Sequence, residues 1–99
     1  MFDILVTTGA EDDIGAGPAK VRRTVVESIE RSLTEDADVP DRGRQVRTAL
    51  RPPWTSVAPV WELRVGGFRV FYDVDGFKSR VYVRAVRRKP PRRTTETVA

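Results

Sequence analysis

Apolar and polar positions alternate most regularly in the second half of the chain. Trp61, Leu63 and Val65 alternate with Glu62 and Arg64. After Gly66-Gly67, the residues Phe68, Val70, Tyr72 and Val74 alternate with Arg69, Phe71 and Asp73. Two period-two runs joined by two glycines predict a β-hairpin with a primed turn. Such a loop pairs Val65 with Phe68, Leu63 with Val70 and Trp61 with Tyr72, all on one face that must be covered. Asp75-Gly76-Phe77-Lys78 reads as a second turn, and a third strand is expected from about Ser79 to Val86. A four-residue loop there pairs Val74 with Ser79, Tyr72 with Val81, Val70 with Val83 and Phe68 with Ala85. The polar face then pairs Phe71 with Tyr82 and Arg69 with Arg84. Apolar alternation agrees across all three strands in this register.

The first half reads differently. Phe2, Ile4 and Val6 share one face of a short strand. Thr8 with Glu11 forms a Thr-x-x-Glu capping box, and Asp12 and Asp13 suit a first helical turn. Gly15 and Gly17 end this short helix. Pro18 suits the first position of a second helix, in which Val21, Val25, Ile29 and Leu33 recur every four residues and Val26 widens the stripe. Residues 35–59 are rich in Asp, Pro, Gly and Arg and read as loop, with room for a short helix over Gln45–Leu50. The expected fold is α+β: a short N-terminal strand and two helices packed on a mostly antiparallel sheet containing a β-meander. The expected division is a domain over 1–90 and a basic, polar tail over 91–99.

Charge then changes the picture. Residues 1–77 hold ten Lys/Arg against thirteen Asp/Glu, whereas residues 78–99 hold eight against one. The positive charge is local, and it suits a polyanion or an acidic protein partner. The predicted register sets Arg64, Arg69 and Arg84 in a row across the polar face, with Phe71 and Tyr82 beside them. Like charges directly opposite in a sheet repel, so the row calls for a carboxylate such as Glu62 or for a ligand phosphate. The aromatic pair would offer stacking surfaces to bases. Arg87, Arg88, Arg92 and Arg93 extend the basic surface as further RNA contacts.

The chain has no cysteine and no histidine. Disulfides, thiolate chemistry and imidazole-based proton transfer are excluded. No metal cluster and no cofactor motif is evident. No apolar run reaches the length of a membrane span, and the first residues lack the pattern of a signal peptide. The cytoplasm is the expected compartment.

The segment Trp61-Glu62-Leu63-Arg64-Val65-Gly66-Gly67-Phe68-Arg69-Val70-Phe71-Tyr72-Asp73-Val74 resembles the central hairpin of the RelE/ParE toxin superfamily, approximately W-x-L-R-x-G-x-[YF]-R-V-x-Y. The resemblance extends in outline over residues 2–90. It implies a RelE-like fold, a toxin of a toxin-antitoxin module and a cognate antitoxin as partner. It also implies one of two activities: RelE-like members cleave mRNA at the ribosome without metal, whereas ParE-like members poison DNA gyrase. By this resemblance Arg69 is the phosphate-contacting arginine, Arg64 a second one, and Lys89 (or Arg87 or Arg88) a further active-site cation. For cleavage, Glu62 or Lys89 would have to serve as base. This chain has Val60 and Glu62 where RelE carries lysines, and Thr94 and Thr95 in the region of its functional tyrosine. Ribosome-directed mRNA cleavage is the leading expectation. A gyrase-binding toxin and a non-toxic basic RNA-binding module are the alternatives.

Overall fold

In a computed structural model, residues 1–48, 50–54 and 59–89 are described. The elements run β1 (Asp3–Val6), α1 (Thr8–Gly15), α2 (Ala19–Leu33), β2 (Arg44–Val46), β3 (Trp61–Val65), β4 (Phe68–Asp75) and β5 (Arg80–Arg88). The five strands form one sheet in the order β1-β5-β4-β3-β2. β1 lies parallel to β5, and the other neighbours are antiparallel. The α+β arrangement expected from the sequence is therefore present.

Both helices cover one face of this sheet. Their apolar stripe, Val25, Ile29 and Leu33 with Ala10, meets Trp61, Leu63, Val65, Val70, Tyr72, Val81 and Val83 in the main core. Val26 does not widen the stripe. It is 40% exposed, because one residue is about 100° of helical rotation and carries it off the buried face. The cap of α1 is Thr7, one residue before the expected Thr8, and its side chain accepts the Ala10 N–H. Thr7 also donates its N–H to Val83 O at 3.0 Å, so it still belongs to the extended chain leaving β1. Pro18 caps α2 with an extended ψ of 153°, and Ala19 is the first helical residue.

The expected helix over Gln45–Leu50 is absent in its first part. Residues Arg44–Val46 instead form β2 on the free edge of β3. Pairing satisfies backbone groups that a three-residue polar segment would otherwise leave to water. Arg44 anchors this edge through Val39 O at 2.9 Å, Ser32 O at 3.3 Å and Asp41 at 2.6 Å. The Ser32 carbonyl is one of those left open in the last turn of α2.

The β3–β4 register is the expected one, from Trp61↔Tyr72 to Val65↔Phe68. Gly66 adopts φ +56° in the turn, a conformation glycine takes without steric cost. The β4–β5 register differs. Asp75 pairs with Arg80 and Tyr72 with Val83, and the pairing then shifts between Phe71 and Tyr72, so that Phe71 meets Ala85 and Arg69 meets Arg87. The four-residue turn is displaced by one position along the chain, to Gly76–Ser79, and a β-bulge inserts Arg84. A bulge sets two residues against one.

Candidate functional site

The face of the sheet turned away from the helices carries the arginines. β3, β4 and β5 bring Arg64, Arg69 and Arg87 side by side, through the pairs Arg64↔Arg69 and Arg69↔Arg87. The expected third member, Arg84, is displaced by the bulge. Its Nε lies 2.9 Å from Asp73 Oδ2, and its guanidinium sits 4.8 Å from the centre of the Tyr82 ring. The expected Phe71–Tyr82 pair is likewise absent, because Phe71 faces Ala85 and Tyr82 faces Asp73.

Carboxylates accompany these cations. Glu62 lies between Arg69 at 3.3 Å and Arg47 at 3.6 Å. Arg69 is only 7% exposed, and its guanidinium also donates to Gly66 O at 2.9 Å and Phe68 O at 2.7 Å. Burial first, and then the neighbouring Arg64, push the Arg69 pKa down, and Glu62 opposes them. Asp13 of α1 accepts from Val86 N at 2.9 Å and from the Arg87 guanidinium. Of the row, Arg64 alone is exposed. The compensation by Glu62 is legible in its diagonal position on β3. The Asp13–Arg87 pair joins residues 74 apart in sequence, and no local signal foretells it.

The aromatic surface expected beside the row is closed. Phe71 has no exposed surface and lies beneath Trp54, with ring centres 5.1 Å apart. Leu50, Val60 and Ala85 complete this second small core. The Arg87 guanidinium also packs on Trp54, 5.4 Å from its ring centre. Phe71 thus has no face to offer a base, and Tyr82 already carries the Arg84 guanidinium.

Exposed cations collect instead at the Gly66-Gly67 end. Arg64 and Arg88 are exposed and Lys89 is half-buried, its N–H donating to Gly67 O at 2.8 Å. Arg92 and Arg93 lie outside the described residues. Next to this end a groove runs past Phe68 on both sides. One cavity of about 250 Å³ lies between α2 and the hairpin turn, lined by Lys20, Val21, Val25, Val65 and Phe68 among others. A second of about 520 Å³ continues along Pro18, Val86, Arg87 and Arg88. Its floor is apolar, and its rim carries Lys20, Arg88 and the Asp13–Arg87 ion pair, which fits an amphipathic segment with acidic flanks toward Lys20 and Arg88.

Chemically, this arrangement favours binding over proton transfer. The chain has no histidine or cysteine. Both carboxylates on the arginine row are engaged: Glu62, 7% exposed, is held against two guanidinium groups, and Asp13 is held by the Arg87 guanidinium and the Val86 N–H. A general base must reach the proton it removes.

The model of the ParE toxin of type II toxin-antitoxin systems, parDE, matches residues 4–89 of the chain. Among solved structures, the chain is similar to the toxin-antitoxin complex RelBE2 from Mycobacterium tuberculosis, with 23% identity and a TM-score of 0.63 over 89% of this chain and 98% of that one. It is similar to the archaeal RelE-RelB complex from Pyrococcus horikoshii OT3, with 13% identity and a TM-score of 0.65 over 94% and 98%. It is also similar to the intact RelBE complex of E. coli, with 18% identity and a TM-score of 0.57 over 93% and 100%. At these identities the likeness is one of fold. No curated protein matches the sequence.

Proposed function

The chain belongs to the ParE toxin family of type II toxin-antitoxin systems, and on that premise we propose that it arrests growth by binding a protein target, DNA gyrase, rather than by cutting RNA. The observation that carries this reading is the buried Arg69–Glu62 pair. The arginine aligned with the phosphate contact of RelE-like nucleases is turned inward, onto backbone carbonyls and a carboxylate. Transition-state stabilisation needs donors aimed at the developing charge, and this guanidinium is aimed at the protein itself. The toxin domain is residues 1–90, followed by a basic tail, and it acts in the cytoplasm, where gyrase works.

The cognate antitoxin is the second partner. The similar solved structures are toxin-antitoxin complexes, and the groove around Phe68 has the chemistry to accept an acidic, amphipathic antitoxin segment. Apolar anchors would sit on Val21, Val25 and Phe68, with carboxylates toward Lys20 and Arg88.

One observation favours a second reading. Arg64, Arg88 and Lys89 place cations at the hairpin end, and cations suit phosphates; ribosome-directed mRNA cleavage with Arg69, Arg64 and Lys89 in catalytic roles would use them. In that reading Arg84, Arg87, Arg88, Arg92, Arg93 and Tyr82 are the further RNA contacts, and Phe71 joins them only if Trp54 moves away. Induced expression of the wild type, with pulse-labelled DNA and protein synthesis followed together, separates the two. DNA synthesis failing first is the expected result. Rapid loss of protein synthesis would establish the second reading instead.

A further inference from the structure

Phe77 stands at the tip of the β4–β5 turn with its side chain completely exposed, at 104% of its reference area. The turn that carries it is held in place. Asp75 Oδ1 accepts the Phe77 N–H at 3.1 Å and the Lys78 N–H at 3.2 Å. Ser79 follows with φ +51°, a left-handed conformation uncommon for a residue with a side chain. The ring is therefore presented from a defined turn, so little entropy is lost when a partner takes it.

The surroundings extend this knob into a surface. A cavity of about 510 Å³ lies beside it, lined by Val74, Tyr82 and Arg84 together with the turn. Leu5, 38% exposed, is the register partner of Tyr82 on the edge strand. Aromatic residues and arginine are the side chains most enriched among the dominant contacts of protein interfaces.

Charge selects the kind of partner. Along β1, β4 and β5 the cations near the tip, Lys78, Arg80 and Arg84, are matched by the carboxylates Asp3, Asp73 and Asp75. Arg84 and Asp73 form an ion pair, and Asp3 is the register partner of Arg80. The tip thus has no net charge to attract a polyanion. It also lies about 25 Å from the basic hairpin end, since the eight residues of β4 separate the two turns.

We propose that Phe77, with Tyr82 and Leu5, is the surface by which the toxin docks an uncharged apolar cleft on its protein target, leaving the Phe68 groove to the antitoxin. This rests on the reading that the toxin acts by binding a protein.

The test compares wild type, Phe77→Ala and Phe77→Trp for growth arrest at matched toxin levels. Melting temperature, sedimentation and co-purification with the cognate antitoxin are measured on the same proteins. Phe77→Ala is expected to need roughly ten times more toxin for the same arrest. Phe77→Trp should retain potency, and fold and antitoxin binding should be unchanged in both. Undiminished arrest by Phe77→Ala would overturn the proposal. So would loss of its antitoxin binding, or a wild-type dimer that Phe77→Ala dissolves, since the occupant would then be the antitoxin or a second copy. Arrest by RNA cleavage that still depends on Phe77 would retire the gyrase reading and leave the docking surface standing. A wild type that arrests nothing would overturn both.

Discussion

Glu62 is the residue on which the outer face of the sheet depends. Arg64 and Arg69 are directly opposed, and Arg87 follows on the next strand. Glu62 answers the buried member of this row from 3.3 Å. Removing one partner of a buried pair leaves the other uncompensated, at a cost of about 3 kcal/mol. Glu62→Gln should therefore lower the free energy of unfolding in urea by about that amount. Arg64→Ala, at an exposed position, should be neutral or stabilise by a few tenths of a kcal/mol. Equal losses for both variants would mean that the row is not held in this way. Tyr72 gives a pH test at the same scale. Its hydroxyl donates to Ala37 O at 2.7 Å inside the core. Burial raises its pKa well above the usual tyrosine value, with Arg44 opposing and Asp41 and Asp38 reinforcing the shift. Below about pH 10 both folded and unfolded states keep the proton. Above it the unfolded state ionises first, so stability should fall by about 1.4 kcal/mol per pH unit until the folded group also titrates. Tyr72→Phe should cost about 1–2 kcal/mol at neutral pH and remove that alkaline slope. A slope that persists in the variant would place its origin elsewhere.

Between elements, legibility followed the range of the interaction. The β3–β4 hairpin was readable residue by residue, because two glycines between alternating runs leave one register with Trp61, Leu63, Val65, Phe68, Val70 and Tyr72 on a single face. The β4–β5 pairing was not. Alternation survives a two-residue shift of register unchanged, so it could not tell Tyr72↔Val81 from the observed Tyr72↔Val83. The bulge then reversed the faces beyond Arg84, and with them the third arginine of the row. β2 has three residues and no apolar period, and it is a strand because β3 offered an open edge. Phe71 read as a solvent-facing aromatic because the pattern of one strand contains nothing about a loop that crosses it. Leu50 and Trp54 supply that cover. The helices were readable to within one residue at each N-terminus, since the stripe Val21, Val25, Ile29, Leu33 and the nearby caps are local signals.

Across the whole molecule, the two ends of the β3–β5 sheet differ in net charge. The Gly66-Gly67 end gathers exposed Arg64 and Arg88 beside a groove with an apolar floor, while the opposite turn presents Phe77 among balanced charges. This polarity is what the proposed division between an antitoxin-binding end and a target-binding end requires. The C-terminal excess of positive charge was visible in the sequence. The groove was not, because α2 and the β3–β4 turn build it jointly. Purified toxin added to a gyrase supercoiling reaction and, in parallel, to translating ribosomes with a defined mRNA tests this account most directly. Supercoiling should be inhibited in proportion to the toxin while the mRNA stays intact. Cleaved mRNA with unimpaired supercoiling would contradict it.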